Sequence, residues 1–164
     1  MTASPSRILI LIKPDGVRRR LTGEILRRIE AKGYALTALK LVTPTEEVLA
    51  AHYAEHVERP FYPGLVEYMT SGPVVAAVVE GHRVVEGCRS LMGATDPTTA
   101  APGTIRGDLA RDWGTSAMEN LIHGSDSEAS AAREISIWFP GSAEALARSH
   151  AMAARPLRGR AAIV

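Results

Sequence analysis

Five consecutive aliphatic residues, Ile8 to Ile12, run into the turn formers Pro14-Asp15-Gly16. A short apolar run without polar alternation predicts a strand buried on both faces over Arg7 to Lys13. Ile25, Leu26 and Ile29 then form one stripe, with Arg27, Arg28, Glu30 and Lys32 opposite and Gly33 as a stop. That is the pattern of an amphipathic helix, with Thr22 placed to cap it. Alternation over Tyr34 to Val42 predicts a second strand. Thr43-Pro44-Thr45-Glu46 has the form of a capping box with proline at the first helical position, so a helix is expected from there to about His56. Phe61 to Met69 predicts a short helix, Val74 to Val79 a third buried strand, and Arg83 to Leu91 a helix with Val84, Val85, Cys88 and Leu91 on one side.

Turn residues dominate from Gly93 to Gly124, with a weak helical signal over Ile105 to Trp113. A loop this long inside a compact domain is usually functional. Ser125-Asp126-Ser127-Glu128 is a second capping box, predicting a helix that ends near Arg133, and Ile135 to Phe139 reads as a fourth strand. The order predicts an α/β (α+β) fold of ferredoxin-like βαββαβ type, a four-stranded antiparallel sheet with helices covering one face, additional helices and the long loop. Residues 1–140 are expected to form the domain. Residues 141–164 are expected to be an extension, helical near Ala143 to Ala153 and loose beyond, with Arg148, Arg155, Arg158 and Arg160.

With 46% apolar and 23% charged residues over 164 positions, the chain has the balance of one ordinary globular domain. The single Cys88 excludes an internal disulfide. A formal charge of +1, from 19 basic and 18 acidic residues, argues against non-specific binding along nucleic acid. No apolar run approaches the roughly twenty residues of a membrane span, and none suits a signal peptide. A cytoplasmic location is expected. The third strand also lacks the paired aromatics of an RNA-recognition sheet.

Candidate chemistry begins with two absences, since neither Gly-x-x-x-x-Gly-Lys-Ser/Thr nor Gly-x-Gly-x-x-Gly occurs. Cations instead stand at element ends and in the loop: Lys13, Arg89 and Arg106. Together they could bind a polyphosphate. His123 lies two residues before a predicted helix N-cap, where free amides favour an anion. An ordinary imidazole is mostly neutral at pH 7, the form able to attack phosphorus. Glu134, at the far end of the predicted helix, is the nearest acid in sequence able to orient it. From spacing alone, a hydrogen-bonded loop histidine is an equal alternative. His52 and His56 have zinc-ligand spacing without the His-Glu-x-x-His pattern and are read as structural. Arg18-Arg19-Arg20 is read as a solvated turn.

Ile12-Lys13-Pro14-Asp15-Gly16-Val17, Arg59-Pro60-Phe61, Ser71-Gly72-Pro73-Val74, Gly103-Thr104-Ile105-Arg106-Gly107-Asp108 and Asn120-x-x-His123-Gly124-Ser125-Asp126-Ser127 stand in that order along the chain. In motifs and spacing, the stretch from Arg7 to Pro140 resembles the nucleoside diphosphate kinases. The resemblance implies γ-phosphoryl transfer from a nucleoside triphosphate to a diphosphate, ping-pong, through a phosphohistidine on His123. By similarity Lys13 and Arg106 stabilise the transferring group, and Arg89 and Thr95 hold the outer phosphates. Tyr53 supports the nucleophile's surroundings, and Asn120 with Lys13 binds the sugar hydroxyl. Phe61 would stack on the base with Leu65 near it, and Glu134 and Ser125 would hydrogen-bond around the histidine.

The resemblance further implies that Mg²⁺ enters on the nucleotide phosphates with no direct protein cage, Asp126 being its only obvious acidic neighbour. A homo-oligomer, tetramer or hexamer, is expected, with the loop around Pro97 at subunit contacts. The chain departs from the family in Leu109 to Glu119, about four residues longer than the common spacing, which puts base preference in question. The alternative is a nucleotide-sensing or protein-binding module on the same fold.

Overall fold

In a computed structural model residues 6–141 are described. Strand β1 (Ser6–Ile12) is central to a sheet of order β2-β3-β1-β4, with β2 at Ala35–Val42, β3 at Val74–Gly81 and β4 at Ile122–Gly124. All three pairings are antiparallel, so β1 and β2 run parallel with β3 between them, the split βαβ expected of a ferredoxin-like fold. Seven helices accompany the strands among the described residues: α1 (Pro14–Arg18), α2 (Thr22–Ala31), α3 (Glu46–His52), α4 (Tyr62–Thr70), α5 (Val84–Met92), α6 (Ile105–Leu109) and α7 (Glu128–Trp138).

The unalternated runs of β1 and β3 follow from burial of both sheet faces. Ile8, Ile10, Ile12, Val75, Ala77 and Val79 pack against Ile25 and Ile29 of α2 and Cys88 and Met92 of α5. Leu9, Leu11, Val74, Ala76 and Val78 pack on the other side against Leu49 of α3, Met69 of α4, and Ile135 and Trp138 of α7. The expectation of helices on one face only is corrected, because an uninterrupted apolar strand needs cover on both sides.

The fourth strand is also corrected. Ile135 to Phe139 does not form it: residues 135–138 continue α7, whose Ile135 and Trp138, three apart, turn to the same core. The fourth strand is Ile122–Gly124, paired to Ile10, Leu11 and Ile12. The caps stand later than the motifs placed them. Thr45 and Ser127 accept from the amides of Val48 and Ser130, so the N-caps are not Thr43 and Ser125. Thr22 is itself the first residue of α2, without a side-chain cap. The predicted extension beyond Gly141 lies outside the described residues.

Candidate active site

The antiparallel register decides where His123 points. It pairs with Leu11, so its side chain leaves the sheet on the face covered by α3, α4 and α7. Its neighbour Gly124 faces the other way, where a Cβ would come within 2.6 Å of Met92 Sδ, so the close approach of α5 requires glycine. On the histidine side, α7 brings Glu134 to 3.2 Å from His123 Nε2. Ser125 Oγ donates to Glu134 at 2.5 Å and accepts the Leu9 amide at 3.1 Å, anchoring the carboxylate to the central strand.

Burial alone would raise the Glu134 carboxyl, but the hydrogen bond from His123, its charge and the Ser125 hydroxyl together hold it below the ordinary carboxylate range. An ionised carboxylate only accepts, so Nε2 carries the proton and the lone pair of the neutral ring stays on Nδ1. This is the tautomer a nitrogen nucleophile needs.

His123 and Glu134 stand in a cleft of about 760 Å³ that also takes in Lys13, Tyr53, Phe61, Leu65, Arg89, Thr95, Arg106 and Asn120. Every predicted site residue lines it except Ser125, which is buried behind Glu134. The chain thus brings the whole expected set together. Lys13 Nζ donates to Asn120 Oδ1 at 2.7 Å, and Asn120 Nδ2 donates to the Thr95 carbonyl at 2.8 Å. Burial, then the Arg106 charge, lowers the Lys13 ammonium to about 8, against a smaller upward pull from Asp15. Burial and then Arg89 lower Arg106 to about 10. Three like charges converging on one space is an unfavourable arrangement that a polyanion would relieve.

Arg106 is moored by backbone carbonyls: Nε to Asn120 at 3.2 Å, Nη1 to Gly93 at 3.1 Å and Nη2 to Ile122 at 2.5 Å. Arg89 donates to the Gly124 carbonyl at 3.2 Å, so two guanidiniums grip the strand carrying the histidine.

The sequence gives His52 no role beyond structure, yet it lies in the site, edge-to-face with His123 at 4.6 Å between ring centres. It ends α3, whereas His56 lies in a separate 3-10 turn, so the two share no helix face. Arg133 fixes this corner by donating to the carbonyls of Ala51 and His52. Trp138 Nε1 donates to His52 Nδ1 at 3.0 Å, which places the ring proton on Nε2. Burial and then the His123 charge lower His52 to about 3, so it stays neutral beside the nucleophile. His52, His123 and Glu134 bring ligand-type atoms within 4.8 Å of one another. His52 in this tautomer offers a metal no lone pair, and Glu134 is already committed to His123 and Ser125. Only its adjacency to Tyr53 in the chain hinted at this placement.

The far end of the cleft is built from Phe61, which is 55% exposed and 5.5 Å from the His56 ring, and from Ser116, Ala117 and Met118 of the longer segment. Arg18 and Arg19 are not an idle basic turn. Arg18 pairs with Glu119 at 3.4 Å, and Arg19 donates to the Leu109 carbonyl at 2.7 Å and lies over Trp113, so they tether both ends of that segment.

A split βαβ sheet presenting an oriented histidine to a cation-lined cleft has the layout of a phosphotransferase. The family described as nucleoside diphosphate kinase matches residues 6–143. The nucleoside diphosphate kinase of Streptomyces avermitilis is 61% identical over 136 residues, covering 82% of this chain and 96% of the relative. That of Thermobifida fusca is 58% identical over 134 residues, with the same coverage of both chains. The crystal structure of an apo nucleoside diphosphate kinase from Encephalitozoon cuniculi superposes with a TM-score of 0.78 at 42% identity, covering 84% of this chain and 90% of that one. The chain belongs to the nucleoside diphosphate kinase family. None of these relatives supports the nucleotide-sensing alternative.

Proposed function

We propose that the chain transfers the γ-phosphoryl group of a nucleoside triphosphate to a nucleoside diphosphate, ping-pong, with His123 Nδ1 as the relay. The observation that carries this reading is the pairing of His123 Nε2 with Glu134, which leaves Nδ1 without a hydrogen-bond partner among the described residues, in a cleft lined by Lys13, Arg89 and Arg106. Nδ1 attacks the γ-phosphorus, the P–O bond to the β-phosphate breaks, and the nucleoside diphosphate leaves. The incoming diphosphate's terminal oxygen then takes the phosphoryl group and frees the histidine. Glu134, held by Ser125, supports the developing imidazolium, while Lys13 and Arg106 neutralise the equatorial oxygens, the main demand of phosphoryl transfer.

Arg89 and Thr95 hold the outer phosphates, Asn120 and Lys13 the sugar hydroxyl, and Tyr53 with His52 walls the nucleophile. Phe61 stacks on the base, with Leu65 beneath. Mg²⁺ belongs to the nucleotide substrate: among the described residues the cleft is lined by three acids, of which His123 and Ser125 engage Glu134 and Ser130 and Ser127 engage Asp126, so that Glu55 alone does not make a carboxylate cage for a resident ion. The same reading includes a homo-oligomer, tetramer or hexamer, in the cytoplasm. Supporting the oligomer is edge strand β2, where Leu39 and Leu41 are 53% and 64% exposed. Among the described residues no helix is long and apolar enough to cross a membrane.

The direct test is incubation with γ-labelled ATP and Mg²⁺, an alkaline quench and mapping of the label. An acid-labile label on the His123 peptide that GDP or dTDP removes is expected. Nucleotide binding without label would overturn the reading.

A further inference from the structure

Leu121 sits between Asn120 and His123, fully buried, with φ +70°. The Ile122 amide donates to the Asn120 carbonyl at 2.8 Å, closing a three-residue turn around it. A γ-turn with positive φ is the rare, strained kind, and a leucine has none of glycine's tolerance for it. The turn persists only if its surroundings over-determine it, and its surroundings include one buried acid outside the phosphoryl-transfer set. Asp15, 1% exposed, accepts the Leu121 amide on Oδ2 at 3.1 Å and the Tyr68 hydroxyl on Oδ1 at 2.5 Å. The Lys13 amide donates to the Leu121 carbonyl at 2.7 Å, so the β1–α1 junction grips both polar groups of the strained residue. Gly16 belongs to the same fit: a Cβ there would lie 3.3 Å from the Leu121 carbonyl and 2.8 Å from an Ile12 methyl.

We propose that Asp15 is a positioning residue for phosphoryl transfer: its carboxyl group, steadied by Tyr68, holds Leu121 in its left-handed turn and so sets Asn120 and His123 in register with Lys13. The inference rests on the kinase reading for its function and on the hydrogen bonds for its geometry. Without the brace Leu121 relaxes toward negative φ, the direction of the chain into β4 changes, and the histidine leaves its line of attack. Misplacement by an ångström is enough to slow a reaction that depends on alignment.

The experiment measures the rate of His123 phosphorylation at saturating ATP, together with thermal unfolding and hydrogen exchange at the Leu121 amide. Asp15→Ala is expected to slow phosphorylation on the order of 10- to 100-fold and to expose the Leu121 amide to exchange. Asp15→Asn, which keeps an oxygen for that amide and an NH₂ for the Tyr68 oxygen, is expected to restore most of the rate. Leu121→Gly removes the need for a brace, so the rate lost through D15A shrinks in the L121G background. A D15A rate within about twofold of wild type, or a loss undiminished in L121G, overturns the proposal. Should either variant fail to fold, Tyr68→Phe decides: a several-fold slower rate at unchanged ATP affinity supports the brace, and an unchanged rate overturns it. Wild-type protein that takes no label overturns the kinase reading instead, and exchange at Leu121 then still tests whether Asp15 holds the turn.

Discussion

At the histidine end of the cleft nearly every polar atom has a partner within the fold, whereas at the Phe61 end apolar side chains stand in solvent. Among the described residues no buried side-chain nitrogen or oxygen lacks a hydrogen-bond partner, and Asn120 and Ser125 find theirs in Lys13 and Leu9 at the far end of the chain. Phe61 and Met118 are each about half exposed. The contrast matches the tasks. Phosphoryl transfer is intolerant of misplacement, while a ring face stacks on any base without reading its edge. Accuracy belongs to the buried end and tolerance to the open one.

Substitutions at both ends of the cleft and a pH titration would break or sharpen this contrast. His123→Ala should reduce exchange to background while leaving nucleotide affinity within a few-fold, read by coupled assay and by calorimetry. Persistent turnover would move the nucleophile elsewhere. Glu134→Gln should lower kcat on the order of 10- to 100-fold, the usual scale for a lost orienting partner, with KM nearly constant. Phe61→Ala should weaken binding of all bases alike by about 1–2 kcal/mol, and a loss confined to one base would show that the open end does read identity.

The pH profile comes next. Lys13 is lowered to about 8, so kcat/KM, which reports the free enzyme, should fall as pH rises through that value, roughly tenfold one unit above it. Lys13→Arg should move this limb upward. The sign on stability is opposite. Between about 8 and the ordinary lysine value the unfolded chain holds the proton that the folded one has lost, so this group adds stability as pH rises. Met118→Ala, the smallest change, should shift KM by no more than a few-fold at unchanged kcat, since the exposed rim contributes area and no fixed bond.

Much of this is legible in the sequence itself. The strands β1 and β3 announce themselves as unbroken aliphatic runs, and the motifs around Lys13, Arg106 and His123 mark three segments that the sheet then gathers. What escaped has physical reasons. Ile135 to Phe139 is rich in the residue types that favour strands, but its period of three, Ile135 to Trp138, follows the buried side of α7. β4 is three residues long and contains a glycine and the histidine, too little pattern for any periodicity. Pairing with Ile10 to Ile12 makes it a strand, and only the fold supplies that. Asp15 and His52 were missed for a similar reason: their partners, Leu121, Tyr68, Trp138 and His123, are remote in sequence.

The mooring of Arg106 to the carbonyls of Asn120, Gly93 and Ile122 has a consequence for how affinity and folding are shared out. A guanidinium normally loses rotamer freedom when it closes on a phosphate, and that ordering weakens binding. Here the ordering happens when the chain folds, long before a nucleotide arrives. Part of the affinity for phosphate is therefore stored as tertiary structure, and conditions that loosen the 93–106 segment should raise KM well before they unfold the protein.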